Sequence, residues 1–264
     1  MFLTKDEKKI ENDYLQQGYI IKPSANRESL DNIKKTFFFL IKNYLHENKI
    51  SFDENDDLFN NIHKYINIEK LNDFRLKIIQ DINNIEDFRK NYFNIARQNI
   101  ESLIGSEIAM QLRINLSIQF PQDDSSLLPI HADTWSGDSP FEIVVWTPLV
   151  DCYKTKAMFL LQPKYQDLVK KLLNNKEIKS GEDLFLSLES KLKWMDIKYG
   201  NILIFNQGLP HGNRINLENE TRWSLNCRFK SIFSPYGDKK LGEFFEPVTL
   251  KPASLAGMKY EFPN

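Results

Sequence analysis

The hydrophobic period of the sequence changes near residue 109, from the 3.6-residue repeat of a helix to the two-residue repeat of a strand. Between residues 29 and 46, apolar residues recur at helical spacing and predict an amphipathic helix. Over residues 110–120, polar and apolar residues alternate and predict one continuous strand with a polar face. The chain is therefore predicted to form helices in residues 1–108 and a β-structure in residues 109–264.

Helical patterns extend through most of the first hundred residues, interrupted by one short strand. The predicted elements are a helix at 5–17 that Gly18 ends, a strand at 19–21, and helices at about 56–65 and 69–104 with a break near Asn83-Asn84. His46 and His63 fall in this helical part without a nearby carboxylate partner. We therefore interpret both as structural histidines.

Four further strand-like runs follow residue 120, at 142–147, 157–161, 201–205 and 223–229. Short strands punctuated by Pro and Gly are typical of a sandwich or jelly roll. Residues 165–194 are charged and helical and are predicted to form an insert between two strands. We expect a mainly β fold with helices (α+β), built as a single domain over residues 1–264 with the helical part packed on the β-structure.

The polar side chains of the strand predicted at 111–119 allow two interpretations. They either face water or line a polar cavity inside the β-structure. The alternation alone favours water, because antiparallel sheets commonly have one solvated face.

Composition excludes several functional classes. A net charge of -1 over 264 residues indicates neither a general nucleic-acid binder nor an anionic-membrane binder. Two cysteines, Cys152 and Cys227, form no disulfide framework and suit a reducing cytoplasm. The first ten residues contain no apolar signal core, and the longest apolar run, residues 37–41, is too short to span a bilayer. We expect a soluble cytoplasmic protein.

His131 and Asp133 form a His-x-Asp pair. In an extended segment, side chains at i and i+2 leave the same face, so the imidazole and the carboxylate could bind one metal ion. The pair alone is weak evidence, because His-x-Asp occurs by chance in many sequences. A metal site needs a third ligand.

His211 is the candidate third ligand. It follows the strand-like run 201–205 and lies between Gly208 and Gly212, where the backbone can pass close to a site. Two histidines and one carboxylate make the facial triad of non-heme Fe(II) oxygenases, which leaves three metal positions open. Soft thiolate ligands are not offered here, which disfavours structural zinc.

Arg222 and Ser224 supply a candidate anchor for a cosubstrate. They begin the strand-like run that follows His211 and share one face of it. A guanidinium donates two parallel hydrogen bonds to a carboxylate, and a hydroxyl can add a third. A 2-oxo acid that chelates the metal through its keto oxygen and one carboxylate would need such an anchor for its distal carboxylate.

With these residues in place, the sequence resembles the Fe(II)/2-oxoglutarate-dependent oxygenases, especially the phytanoyl-CoA dioxygenase-like branch. Within that branch it is most similar to oxygenases found sporadically in bacterial carbohydrate-biosynthesis clusters. The resemblance covers about residues 110–230 and extends only loosely to the N-terminal helices. The matching segments are His131-Ala-Asp133, 141–150, 157–163, 200–205, and His211 with Arg222.

The resemblance implies a double-stranded β-helix of the jelly-roll or cupin type, with Fe(II) at its mouth and 2-oxoglutarate and O2 as cosubstrates. It places Asn115, Trp146 and Asn213 where relatives contact 2-oxoglutarate, which shifts the polar face of the 111–119 strand toward cavity lining. Halogenating relatives replace the carboxylate of Asp133 with a small residue, so its presence implies hydroxylation, desaturation or ring chemistry. Relatives carry an Asn-Gly or similar pair where this sequence has Thr155-Lys156, so the resemblance does not predict the conformation of this turn.

Candidate substrate contacts lie near the metal motif. Trp135 could stack on a sugar or nucleotide ring or simply pack its loop, and Asp138 and Gln119 could hydrogen-bond hydroxyl groups. Arg228 could bind a phosphate or form an ordinary ion pair. A small-molecule substrate that is a carbohydrate or sugar nucleotide is implied by the resemblance alone.

Two other functional classes compete with the oxygenase. One is a cupin-like metal-dependent sugar isomerase or epimerase, which would not need Arg222 as an anchor. The other is a non-catalytic sugar-binding barrel, which would tolerate loss of the metal ligands. Formation of succinate from 2-oxoglutarate separates the oxygenase from both.

Overall fold

The computed structural model describes residues 2–263 and contains antiparallel sheets flanked by helices. The α-helices are α1 (Lys5–Gln17), α2 (Arg27–Glu47), α3 (Leu58–Asn61), α4 (Leu71–Asn84), α5 (Phe88–Asn94), α6 (Arg97–Ile104), α7 (Gln166–Leu173), α8 (Gly181–Leu188) and α9 (Pro252–Gly257). The strands are β1 (Tyr19–Pro23), β2 (Ile108–Gln111), β3 (Asn115–Gln119), β4 (Glu142–Pro148), β5 (Phe159–Leu160), β6 (Lys193–Trp194), β7 (Asn201–Asn206), β8 (His211–Gly212), β9 (Arg222–Ser231) and β10 (Phe245–Thr249). Among the described helices, none combines the length and the apolar character that a membrane crossing requires.

Two antiparallel sheets make up the β-structure. The larger follows the order β1-β7-β4-β9-β2-β10, with β3 also paired to β9, and the smaller follows the order β6-β5-β8. β9 is the longest strand, and it pairs with β2, β3 and β4. The α+β class is confirmed, with more residues in helices than in strands, and the helical insert is confirmed by α7 and α8.

The first two helices form where the sequence predicts them. The side chains of Thr4 and Glu7 make a capping box at the start of α1, and Gly18 ends the helix at φ 78°. α2 buries one stripe at three- and four-residue spacing, which is the predicted amphipathic face. The buried apolar residues of that stripe are Leu30, Ile33, Phe37, Ile41 and Leu45.

Trp223 joins the helical part to the sheet. Its buried ring makes edge contacts with Phe37, Phe59 and Phe74, at centroid distances of 6.0, 5.7 and 5.8 Å. Its indole N–H donates to the carbonyl of Phe59 at 2.8 Å. Since successive side chains of a strand point to opposite faces, the packing of Trp223 on the helices directs its neighbours Arg222 and Ser224 to the other face of β9.

The single strand predicted at 110–120 is wrong: β2 and β3 are separate. Both backbone groups of Ile114 pair with the side-chain amide of Asn83 on α4, the N–H at 2.8 Å and the carbonyl at 3.0 Å. The Ile114 backbone is therefore bonded to a helix side chain instead of a neighbouring strand. The alternating pattern resumes at Asn115 in β3.

Three other predicted elements are longer than the structure shows. The helix at 56–65 is reduced to α3 and a 3₁₀ turn, Ile62–Lys64, and the helical stretch at 69–104 is divided into α4, α5 and α6. The strand at 157–161 is reduced to β5. Beyond β5, the Leu161 N–H donates to the carbonyl of Pro210, which has no N–H to return a second ladder bond.

The turn at Thr155-Lys156 is a 3₁₀ turn, Lys154–Lys156, with Lys154 at φ 45°. The ammonium of Lys156 is fully buried and donates to the side chains of Asn60 and Glu220, at 2.7 Å each. These bonds fix the turn to α3 and to the segment before β9, and they satisfy a charge that would otherwise be costly to bury.

Candidate active site

His131 and His211 lie side by side at the edge of the smaller sheet. Each backbone N–H donates to the other residue's carbonyl, at 3.0 and 2.8 Å, so the two residues form a hydrogen-bonded antiparallel pair. Their ring centroids are 4.4 Å apart. Gly212 follows His211 in β8, and a Cβ there would lie 2.6 Å from the carbonyl oxygen of Leu128, which explains why a glycine occupies this position.

Asp133 completes a cluster with the two histidines. Ligand atoms of His131, Asp133 and His211 all lie within 4.8 Å of one another. The Asp133 N–H donates to the carbonyl of Gln207 at 3.0 Å, which ties the residue to the segment that leads into β8. Two imidazoles and one carboxylate are the donor set of a facial-triad iron site.

The histidine tautomers suit a metal. The Nδ1 of His131 lies 2.8 Å from the carbonyl of Pro129, and the Nδ1 of His211 lies 2.8 Å from the carbonyl of Leu209. Because a carbonyl can only accept, each Nδ1 carries the hydrogen, which makes Nε2 the atom that each ring would offer to a metal. The Nε2 of His131 lies 3.4 Å from Oδ1 of Asp133, so these two candidate ligand atoms face each other. Burial lowers the pKa of His211 to about 4, so its imidazole is neutral at pH 7.

A polar network holds the second oxygen of Asp133. Its Oδ1 faces His131, whereas its Oδ2 lies 2.9 Å from Nη2 of Arg228. The Nε of Arg228 donates to Gln207 at 3.0 Å, and the Gln207 amide donates in turn to Glu142 at 2.8 Å. Carboxylate orientation at a metal commonly depends on such outer hydrogen bonds.

A cavity of about 510 Å³ contains the cluster and extends along β3 and β9. On β9, the alternate residues Arg222, Ser224, Asn226 and Arg228 all line it. On β3, Asn115 and Ser117 do so too. The polar face of β3 therefore lines a cavity, which settles the choice between the two interpretations for these residues.

Arg222 and Ser224 carry unsatisfied polar atoms at this cavity. Arg222 is only 3% exposed; its Nη2 donates to Ser117 at 2.8 Å, while its Nε has no protein partner. The buried hydroxyl of Ser224 has no partner either. Burial lowers the pKa of Arg222, as expected for a desolvated cation. Buried donors without acceptors on a cavity wall are the arrangement that an anionic ligand would satisfy.

The residues that the resemblance associates with 2-oxoglutarate also reach the cavity. Asn115, Trp146 and Asn213 all line it. The Asn115 amide donates to the Asn226 side chain at 3.0 Å. The Asn213 amide bonds to the backbone of Ser126 and Leu128, so it also holds the loop that precedes the metal motif.

Of the four residues proposed to contact the substrate, one lines the cavity and three do not. Arg228 lines the cavity, but Gln119, Trp135 and Asp138 are not among its lining residues. The Gln119 amide donates to the Arg214 carbonyl at 2.7 Å, and Asp138 is buried in an ion pair with Lys239 at 2.7 Å. Trp135 is 44% exposed in the 3₁₀ turn that begins at Asp133.

Several residues that line the cavity were not predicted from the sequence. Asn226 could have been found, because it continues the alternation of Arg222 and Ser224 along β9. Arg75 on α4 also lines the cavity, more than a hundred positions from β9, and no local pattern marks it. Gln207 bonds through its side chain to Ser139, Glu142 and Arg228, which are distant from it in sequence, so no local pattern marks it.

No protein-family model and no curated protein matches the sequence. Solved structures of low identity share its fold. ThoJ, a non-heme monooxygenase solved as a nickel complex, has a TM-score of 0.55 and 13% identity, covering 92% of this chain and 84% of its own. SnoK, an alpha-ketoglutarate-dependent carbocyclase from nogalamycin biosynthesis, has a TM-score of 0.54 and 13% identity, covering 94% and 97%.

A third structure of the same fold is HygX from Streptomyces hygroscopicus, solved with nickel and 2-oxoglutarate bound. Its TM-score is 0.52 and its identity 12%, and the similarity covers 90% of each chain. These likenesses extend over nearly the whole chain, including the N-terminal helices. At this level of identity they establish a common fold.

Proposed function

We propose that this protein is an Fe(II)- and 2-oxoglutarate-dependent oxygenase that hydroxylates or otherwise oxidises a small polar substrate, such as a sugar or sugar nucleotide. The proposal treats residues 1–264 as one cytoplasmic domain built on a double-stranded β-helix. One hydrophobic cluster that contains both helix and strand residues supports the single domain. Two free buried cysteines, Cys152 and Cys227, agree with a reducing compartment.

The observation that carries the proposal is the pairing of two features in one cavity. The His131, Asp133 and His211 cluster offers two imidazole nitrogens and a carboxylate, and backbone carbonyls occupy both Nδ1 atoms. The same cavity contains the unpartnered donors of Arg222 and Ser224. A metal ligand set and a separate carboxylate anchor are the two requirements for binding a 2-oxo acid at a metal.

Each residue then has a defined role. His131, Asp133 and His211 would hold Fe(II), and Arg222 with Ser224 would bind the distal carboxylate of 2-oxoglutarate. Bound Fe(II) supplies the chemistry that converts a substrate R–H, 2-oxoglutarate and O2 into R–OH, succinate and carbon dioxide.

Other side chains around the cluster would orient the Asp133 carboxylate and the bound 2-oxoglutarate. Arg228, fixed by Gln207, holds the Oδ2 of Asp133, which would leave the Oδ1 available to the metal. Asn115, Trp146 and Asn213 would contact 2-oxoglutarate. Among the substrate candidates, Trp135 retains the exposure that stacking on a ring requires, whereas Gln119 and Asp138 already bond within the protein.

The two competing functions leave Arg222 unexplained. A metal-dependent isomerase or a non-catalytic sugar-binding barrel has no need for a buried guanidinium with an unsatisfied Nε. Retaining such a group costs about 1–3 kcal/mol for the unpaired donor. That cost is accounted for when the group binds an anionic cosubstrate.

The test is conversion of 2-oxoglutarate to succinate and carbon dioxide by the purified protein with Fe(II) and O2. We expect slow conversion without substrate, and none in His211→Ala or Arg222→Met. The matched control is Arg113→Met, because Arg113 is exposed and lies outside the cavity. Absence of succinate from wild-type protein that contains Fe(II) would contradict the proposal and favour the isomerase or the binding barrel.

A further inference from the structure

The cavity lining has more positively charged than negatively charged side chains. Three guanidinium groups line it, from Arg75, Arg222 and Arg228, whereas Asp133 provides its one carboxylate. With both histidines counted as neutral metal ligands, the lining therefore carries a net charge of two positive units. Fe(II) and the 2-oxoglutarate dianion cancel each other, so binding both leaves this excess unchanged.

Two of the three guanidinium groups have partners of opposite charge. Arg228 pairs with Asp133 at 2.9 Å, and also lies 3.6 Å from Asp138. In the proposed function, Arg222 binds the distal carboxylate of 2-oxoglutarate. These assignments leave Arg75 as the cation without an anionic partner.

Arg75 projects from α4, the helix that packs beside β3. Its Nη2 donates to the neutral side chain of Asn72 at 2.7 Å. Within residues 2–263, no carboxylate lies within 4.0 Å of its guanidinium nitrogens. The side chain is half-buried on the cavity wall. A guanidinium at such a partly desolvated position attracts an anion more strongly than a fully exposed one does.

The cavity also has room for a second ligand. Its volume of about 510 Å³ lies in the range of sites that hold drug-sized molecules. Uncharged polar side chains of Ser125, Ser126 and Asn226 line it alongside Arg75. Hydroxyl and amide groups around one cation suit a polyhydroxylated molecule that carries a single anionic group.

We propose that Arg75 binds an oxyanion of the substrate, either a phosphoryl group or a carboxylate. The substrate is then an anionic molecule, such as a sugar phosphate, a sugar nucleotide or a sugar acid, and a neutral sugar is excluded. This inference rests on the proposed function, because that function assigns Arg222 to 2-oxoglutarate.

The experiment uses protein loaded with Mn(II) and N-oxalylglycine, an unreactive analogue of 2-oxoglutarate, and titrates it by calorimetry. The three probes are glucose, glucose 6-phosphate and glucuronate, which share a ring and differ in charge. We expect at least one anionic probe to bind and glucose not to bind. Whichever anion binds more tightly identifies a phosphoryl or a carboxylate substrate.

Variants assign the binding to Arg75. Arg75→Met should weaken binding of the anionic probe by about 10-fold or more, since one charge-assisted hydrogen bond is lost. Arg75→Lys should retain part of the affinity, and Arg113→Met should bind as the wild type does. Equal binding by wild type and Arg75→Met, or binding of neither anion, overturns the inference.

Failure of this inference is distinguishable from failure of the proposed function. Loading with Mn(II) and N-oxalylglycine is measured first in the same sample. If the analogue does not bind, the proposed function fails. If the analogue binds and neither anion follows, only the role of Arg75 is overturned.

Discussion

Replacing Arg222 with Met should stabilise the protein without ligands while removing its affinity for 2-oxoglutarate. Arg222 is buried, its Nε has no partner, and its one protein hydrogen bond goes to Ser117. Removing the unpaired donor gains about 3 kcal/mol, the upper end of the range because the group is charged, and losing the charge-assisted Ser117 bond costs about 1.5–3 kcal/mol. The net gain of about 1 kcal/mol corresponds to a Tm increase of about 2–4 °C for a chain of this size.

The effect on 2-oxoglutarate has the opposite sign. Two charge-assisted hydrogen bonds at about 1.5–3 kcal/mol each imply a loss of at least about 3 kcal/mol, which is more than 100-fold in Kd at about 1.4 kcal/mol per decade. At 100 times the wild-type Kd, 2-oxoglutarate stabilises the wild type by about 2.7 kcal/mol. The same concentration should stabilise Arg222→Met by at most about 0.4 kcal/mol.

The assay is thermal unfolding with Mn(II), with and without 2-oxoglutarate. Arg113→Met is the control, since it removes an exposed guanidinium and should change stability by less than about 0.5 kcal/mol. If Arg222→Met lowers the Tm of the ligand-free protein, Arg222 has a structural role that the unpaired Nε does not reveal. If 2-oxoglutarate stabilises wild type and variant equally, Arg222 is not its anchor.

Two further substitutions test how the fold supports the site. Trp223→Ala should lower the free energy of unfolding by about 3–5 kcal/mol, because it leaves a cavity beside Phe37 and Phe59. Urea unfolding measures this change. A loss below about 1 kcal/mol would show that the ring does not join the helices to the sheet. Arg228→Met should weaken Mn(II) binding by about 10-fold or more, because the outer oxygen of Asp133 loses its partner. Electron paramagnetic resonance titration measures free Mn(II), and an unchanged Kd would show that the carboxylate is oriented without Arg228.

Local patterns predicted the elements whose stability is local. The stripe of α2 and the end of α1 at Gly18 follow from helical spacing and from a residue that ends helices. The three candidate metal ligands were also found from sequence, because His131 and Asp133 form a His-x-Asp pair, His211 follows a strand-like run, and all three are residue types that metals prefer. The structure brings their ligand atoms within 4.8 Å.

Long-range contacts decided what the sequence did not predict. The strand expected at 110–120 is interrupted because the Asn83 amide, 31 positions from Ile114, takes its backbone bonds. Arg228 was considered only as a phosphate ligand or surface ion pair, since its link to Asp133 spans almost a hundred positions. Arg75 belongs to an ordinary helical pattern, and only the packing of α4 beside β3 brings it to the cavity.

The most direct measurement is an anaerobic titration of the purified protein with Fe(II) and 2-oxoglutarate, followed by visible absorption. Chelation of Fe(II) by 2-oxoglutarate should give a weak charge-transfer band that requires both components. The band should be lost in His211→Ala and retained in Arg113→Met. No band in the wild type, or an unchanged band in His211→Ala, would contradict the assignment of His131, Asp133 and His211 as the iron ligands.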